Sequence, residues 1–260
     1  MVTLADLSIP VEPSEADWNE QGVVILKGVL PDGMIDAYVK AWRRDNGDQW
    51  PPERPGGYDY CTPYMDVREL ADLASIAPIH DEMECLIGEP AGMHLNLTGF
   101  VSTERDWHQD GYLNPAHVGD HYVAAWLALD DIHPDSGPFQ FIPGSHKWFR
   151  VTQDRMLAAL EPHERRDPAW PKYSERILTP LFEKEITQRS AVTISYLPQK
   201  GDVLLWHPRL LHRGSTAKVS GMERRALIVH YSGVHHRADM PRAVEYGDGF
   251  VFPIGGHHPV

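Results

Sequence analysis

The chain has 260 residues, 42% of them hydrophobic and 23% charged, a composition that supports a packed core and excludes a chain dominated by disorder. Its 37 Asp and Glu against 24 Lys and Arg leave a formal net charge of −13, which opposes attraction to nucleic acid or to an anionic membrane surface. Cys61 and Cys85 are too few and too far apart for a disulfide framework, no stretch reaches the apolar length of a membrane span, and MVTLADLSIP lacks the features of a signal peptide, so a soluble cytoplasmic protein is expected.

Helical signals come first in the chain. Ser14 is placed to cap Glu15 to Glu20, Pro31 opens the amphipathic DGMIDAYVKAWRRD, and residues from about 66 to 87 suit one or two further helices. Between them lies WPPERPGGYDYCTPYM (50–65), rich in Pro, Gly and aromatics as a binding loop is, which makes Tyr58 and Tyr60 candidate substrate contacts. Short runs with strand character follow: MHLNLTGF (93–100), YVAAWLAL (122–129), FQFIP (139–143), AVTISYL (191–197), DVLLW (202–206) and RALIVHYS (225–232).

Short strands bounded by turn residues and preceded by packing helices predict a mainly β fold with flanking helices, a double-stranded β-helix of the jelly-roll or cupin type. No repeat or Gly/Pro-rich linker divides the chain, so one domain over 1–260 is expected, with a helical part to about residue 90 and the jelly-roll core over about 91–232. The interval of about 147–189 interrupts the strand rhythm with helical signals and suits either a lid or a cover for one sheet face.

The segment ERDWHQDGYLNP carries the chemistry. His108 and Asp110, one residue apart, would point to the same side of a strand and share a metal. Two imidazoles and one carboxylate leave open positions on Fe(II) for a bidentate cosubstrate and O2. A single His-x-Asp is a weak signal, since 15 histidines yield roughly one by chance, and His133-Pro-Asp135 is a second that reads as a turn. In KGDVLLWHPRLLHRGS an apolar strand running to about His212 can deliver the second imidazole; its placement favours His212 over His207. Twelve residues on, ERRALIVHYS sets Arg224 and Arg225 at the mouth of a strand, where one guanidinium can grip a distant carboxylate bidentately. Alternation does not decide which of the two points inward.

In order, WHQD, AWLALDDIHPDSGPFQFIPGSHK, GDVLLWHPRLLHRGS and RRALIVHY resemble the phytanoyl-CoA dioxygenase family of Fe(II)/2-oxoglutarate oxygenases over about 93–232. The resemblance implies that His108, Asp110 and His212 ligate iron and act in catalysis. It implies that Arg224 binds the far carboxylate of 2-oxoglutarate and that Trp126, Met93 and Asn96 neighbour that cosubstrate. It implies a dioxygenase that consumes O2 and 2-oxoglutarate, releases succinate and CO2, and hydroxylates an aliphatic C–H of a small polar metabolite. The HRGS stretch departs from the resemblance by making the spacing from His212 to the arginine one residue longer. Relatives that halogenate carry a small residue in place of the metal carboxylate, whereas Asp110 is present.

Alternation puts Tyr122, Ala124, Trp126 and Ala128 on one face, a roomy surface with one large ring that suits a cavity wall as well as core packing. Tyr112, just after the metal motif, is a third substrate candidate. A non-catalytic jelly-roll binding module and a two-His-one-carboxylate zinc hydrolase are the competing readings; the hydrolase has no use for the arginine.

Overall fold

The structure, a computed structural model, describes residues 2–3, 15–47 and 57–255. Ser14 and the first part of the 50–65 segment lie outside the described residues. The early helical signals are realised as α1 (Glu15–Gln21) and α2 (Asp32–Asn46), the latter with Pro31 as its extended N-cap. The 66–87 window holds two helices, α3 (Arg68–Ala74) and α4 (Ala77–Ile87), the second stopped by Gly88 in the left-handed conformation.

The strands are β1 (Val2–Thr3), β2 (Val23–Leu26), β3 (Ala91–Gly99), β4 (Arg105–His108), β5 (Tyr122–Ala128), β6 (Phe139–Phe141), β7 (Ile194–Ser195), β8 (Val203–Trp206), β9 (His212–Gly214), β10 (Ala226–Gly233), β11 (Val244–Tyr246) and β12 (Gly249–Val251). Among the described residues they form a minor sheet in the order β1-β7-β6-β9-β4 and a major sheet in the order β11-β12-β3-β10-β5-β8-β2. The two sheets, with helices on the outer side of the larger one, are the jelly roll that the strand pattern predicts.

β8 does not run to His212. It ends at Trp206, because Pro208 has no N–H to give a ladder and its carbonyl instead accepts the N–H groups of Asp110 and Gly111, at 2.9 and 2.8 Å. His212 opens β9, a strand of the other sheet. Asp110 likewise stands beyond β4, at the cap of a short 3-10 turn over Gly111–Leu113, rather than on the same strand as His108.

The faces of β5 sort as alternation requires. Val123, Ala125, Leu127 and Leu129 pack with Trp42, Leu70, Met83, Leu205 and Val229 into a core between the major sheet and the helices. Tyr122, Ala124, Trp126 and Ala128 face the space between the sheets, with Phe139, Phe141, Tyr196, Leu204 and Trp206. A third cluster lies beneath α5 (Gln153–Ala159) and α6 (Trp170–Gln188), where Met156, Leu178 and Phe182 meet Trp107, Tyr112, Ile142 and Leu211. The 147–189 interval is thus tied down by burial of apolar side chains, each of which contributes about 1.5–3 kcal/mol.

Candidate active site

β4 and β9 pair antiparallel with His108 opposite His212, and this register brings the two imidazoles side by side, their ring centroids 4.1 Å apart. The turn held by Pro208 swings Asp110 in beneath them: its carboxylate oxygens lie 3.8 Å from Nε2 of His108 and 3.5 Å from Nε2 of His212. All three residues are buried, and their ligating atoms fall within 4.8 Å of one another. His207 is elsewhere, packed against Trp18 and His146, its Nδ1 accepting the Arg209 N–H at 3.1 Å. His133 and Asp135 sit in an exposed turn.

Hydrogen bonds set the orientation of each donor. Nδ1 of His108 lies 2.7 Å from the Asp106 carbonyl and Nδ1 of His212 lies 3.0 Å from the Leu210 carbonyl, so in each ring the proton belongs on Nδ1 and the Nε2 lone pair faces the shared space. Burial holds both imidazoles below their ordinary pKa, the His108 ring well below, with Arg105 nearby adding to the effect. Burial opposes charge on Asp110, but the facing His212 and His230, Arg105 and the Trp206 indole, which donates to Oδ2 at 3.0 Å, outweigh it and keep the carboxyl below its usual range. Neutral nitrogens beside an ionised carboxylate are the donor set that Fe(II) takes in facial two-His-one-carboxylate sites.

Arg224 and Arg225 separate sharply. Arg225 turns out to the surface and holds Asp130 through Nη2 at 2.6 Å. Arg224 is buried between the sheets with its guanidinium carbon 5.8 Å from the centre of the Trp126 ring. It donates to the Gly137 carbonyl, its Nε has no partner, and no carboxylate among the described residues pairs with it. Burial alone draws its pKa down to about 10. Tyr196 meets the same Trp126 ring edge-on at 5.8 Å, and its buried hydroxyl is also without a partner. A buried guanidinium facing unfilled polar capacity fits the distal carboxylate of a dicarboxylic acid, and the donor set fits the iron.

The structure does not bring Met93 and Asn96 to this place. A bulge in β3, where its register against β10 shifts between His230 and Tyr231, leaves Met93 in the helix-side core. Asn96 donates from its side chain to the Met93 sulfur at 3.2 Å. The bulge turns His94, Leu95 and Leu97 inward instead; with Asp110, Tyr122, His230 and Arg237 they line a cavity of about 500 Å³. Tyr58, Tyr60 and Tyr112 are not on its wall. Tyr58 donates to Asp45, Tyr60 donates to Asp66, and Tyr112 accepts from Ser174 on α6, while the adjoining Cys61 and Thr62 do line the cavity. A larger cavity of about 610 Å³, beside Gln140, Ser195 and Arg213, includes none of His108, Asp110, His212 or Arg224.

His230, which hydrogen-bonds the Tyr122 hydroxyl and whose pKa burial lowers to about 4, was within reach of sequence reasoning. It shares the alternation of Arg224, Ala226 and Ile228.

The phytanoyl-CoA dioxygenase (PhyH) family profile matches residues 18–226. The chain belongs to this family. Its members are Fe(II)- and 2-oxoglutarate-dependent dioxygenases. The chain is 24% identical over 239 residues to human peroxisomal phytanoyl-CoA dioxygenase, covering 83% of this chain and 66% of that one. To a probable phytanoyl-CoA dioxygenase of Caenorhabditis elegans it is 26% identical over 179 residues, covering 65% and 52%. The chain thus spans between half and about two-thirds of these relatives' length. Two similar solved structures share the fold. The non-haem α-ketoglutarate-dependent epimerase SnoN of nogalamycin biosynthesis has a TM-score of 0.62 at 19% identity, covering 95% of this chain and 91% of its own. EctD from S. alaskensis with bound Fe has a TM-score of 0.60 at 18% identity, covering 90% and 82%.

Proposed function

We propose that the protein is an Fe(II)- and 2-oxoglutarate-dependent dioxygenase that hydroxylates an aliphatic C–H of a small polar metabolite, with release of succinate and CO2. One observation carries this reading: the buried His108, Asp110 and His212 lie between the same two sheets as the buried Arg224, which has no carboxylate partner among the described residues. A hydrolase built on the same three ligands would gain nothing from leaving a guanidinium buried and unpaired, at a cost of several kcal/mol.

His108, Asp110 and His212 would hold the iron, and Arg224 would hold the far carboxylate of 2-oxoglutarate against Trp126, with the Tyr196 hydroxyl as a further donor. The bound iron and cosubstrate supply the oxidising chemistry through O2. The protein's part is to orient and to keep water out. Leu95, Leu97 and Leu113 make much of the cavity wall apolar, while His94, His230 and Arg237 offer fixed polar contacts to the substrate. A cavity of this size admits a small molecule, and the net charge of −13 supplies no general attraction for a polyanionic carrier group. A non-haem α-ketoglutarate-dependent epimerase shares this fold, so the fold by itself does not fix the outcome of the oxidation.

The test is an anaerobic titration of the Fe(II)-loaded protein with 2-oxoglutarate, followed by the visible charge-transfer band of the chelate. The band is expected in the wild type and absent in Asp110→Ala. A wild type that binds iron but develops no band would put a hydrolase or a binding module first; a band opens the way to substrate screening by succinate release.

A further inference from the structure

Glu89, His121 and His236 form a second metal-ligating cluster, apart from the one already described. Glu89 lies just before β3, His121 just before β5 and His236 just after β10, three neighbouring strands of the major sheet, so sheet topology delivers them to one end. Backbone bonds fix that end: the Gly233 N–H donates to the His121 carbonyl at 2.9 Å and the Val234 N–H to the Pro90 carbonyl at 3.0 Å.

The Glu89 carboxylate is buried at 7% exposure, and no Lys or Arg among the described residues pairs with it. It accepts the His235 N–H at 2.8 Å, and its Oε1 faces Nδ1 of His121 at 3.0 Å and Nδ1 of His236. The two imidazoles stack nearly parallel, 5° apart with centroids 3.5 Å apart, and Nδ1 of His121 also lies 3.2 Å from the Ile87 carbonyl. Gly233 makes room for this, since a Cβ there would collide with the Glu89 carboxylate. The cluster offers one buried carboxylate, with no Lys or Arg of the described residues beside it, and two imidazole nitrogens, their ligating atoms within 4.8 Å of one another. A divalent cation would be held by all three donors at once.

We propose that Glu89, His121 and His236 bind a divalent transition metal, of which Zn(II) and Co(II) suit two imidazoles and one carboxylate, as a structural clip joining the ends of β3, β5 and β10. The clip also reaches the cavity. His236 adjoins Arg237, which lines the cavity and is held by Asn114 at 2.8 Å and Asp239 at 2.9 Å. Metal at the clip anchors that segment and sets where Arg237 stands.

Metal-free protein titrated with Co(II), counted by calorimetry and by visible absorption, tests this. Two equivalents are expected in the wild type, one in His236→Ala, one in His108→Ala and none in the double variant, and Zn(II) should raise the Tm of His108→Ala but not of the double variant. Glu89→Gln, which keeps the side chain's shape, gives the same count if His236→Ala does not fold. One equivalent in the wild type, lost in His108→Ala and untouched by His236→Ala or Glu89→Gln, overturns the clip while leaving the iron site standing. Two equivalents that persist in both clip variants also overturn it.

Discussion

Arg224 and Arg225 are adjacent and chemically identical, and the difference between them is burial. Arg225 spends its charge on Asp130 at the surface, whereas Arg224 is enclosed beside Trp126 with donor capacity unspent. Charge-assisted hydrogen bonds contribute about 1.5–3 kcal/mol, so Arg224→Ala should weaken 2-oxoglutarate binding roughly 10- to 150-fold in the anaerobic titration, and Arg225→Ala by less than about twofold. Equal effects of the two substitutions would dismiss Arg224 as the carboxylate clamp. His207 makes a second test. Burial lowers its pKa from 6.5 to about 2, so the folded state keeps it neutral where the unfolded chain takes up a proton. Its contribution to stability is therefore complete above pH 6.5 and is lost as the pH falls from there toward 2, by about 2 kcal/mol between pH 7 and pH 5. His207→Asn, which keeps an acceptor for the Arg209 N–H, should flatten the acid limb of a urea-denaturation series by about that amount. An unchanged slope would mean that His207 is not held neutral.

β5 and β8 each serve two compartments. Leu205 points into the core beneath the helices, and Trp126 and Leu204 point between the sheets. Leu205→Ala should therefore lower stability by about 2–5 kcal/mol, read as a fall in the urea midpoint, while leaving the affinity for 2-oxoglutarate within about twofold of the wild type. A matching loss of affinity would show that the two faces are not independent. The strands that carry His108 and His212 are the ones least visible in sequence. β4 and β9 have four and three residues, too few for alternation to register. The run of apolar residues through Leu210 and Leu211 suggests one strand reaching His212, but the Pro208 turn divides it between two sheets. The bulge in β3 is equally silent in sequence, and it exchanges the expected Met93 and Asn96 for His94, Leu95 and Leu97 on the cavity wall.

The minor sheet carries His108 and His212, with Asp110 in the turn after β4, and the major sheet carries His230 on β10 with Arg224 just before it; of these, Asp110 and His230 line the cavity. Ligands that engage both sheets stabilise the folded state by mass action, about 2.7 kcal/mol at a hundredfold excess over Kd. Anaerobic Fe(II) with 2-oxoglutarate should raise the Tm by roughly 5–10 °C for a protein of this size, and Arg224→Ala should keep the metal's share of the rise while losing the cosubstrate's. A rise that is the same with and without 2-oxoglutarate would exclude a site that spans the sheets.

Residue types and their order along the chain carried the jelly-roll class, the pair His108 and Asp110, the preference for His212 and the two faces of β5, because each depends on local period or on a short motif. What awaited the folded chain was every choice between near equivalents. The burial of Arg224 and the partial exposure of Arg225 follow from the pairing that continues from β10 toward its start, where the Arg224 N–H meets the Phe100 carbonyl and the Arg225 carbonyl the Leu129 N–H, while Tyr58, Tyr60 and Tyr112 are held off the cavity wall by Asp45, Asp66 and Ser174. The meeting of Glu89, His121 and His236 has the same origin. Residues more than thirty apart become neighbours only when three strands align, and side-chain direction at strand ends and bulges is set by that pairing rather than by the period of two.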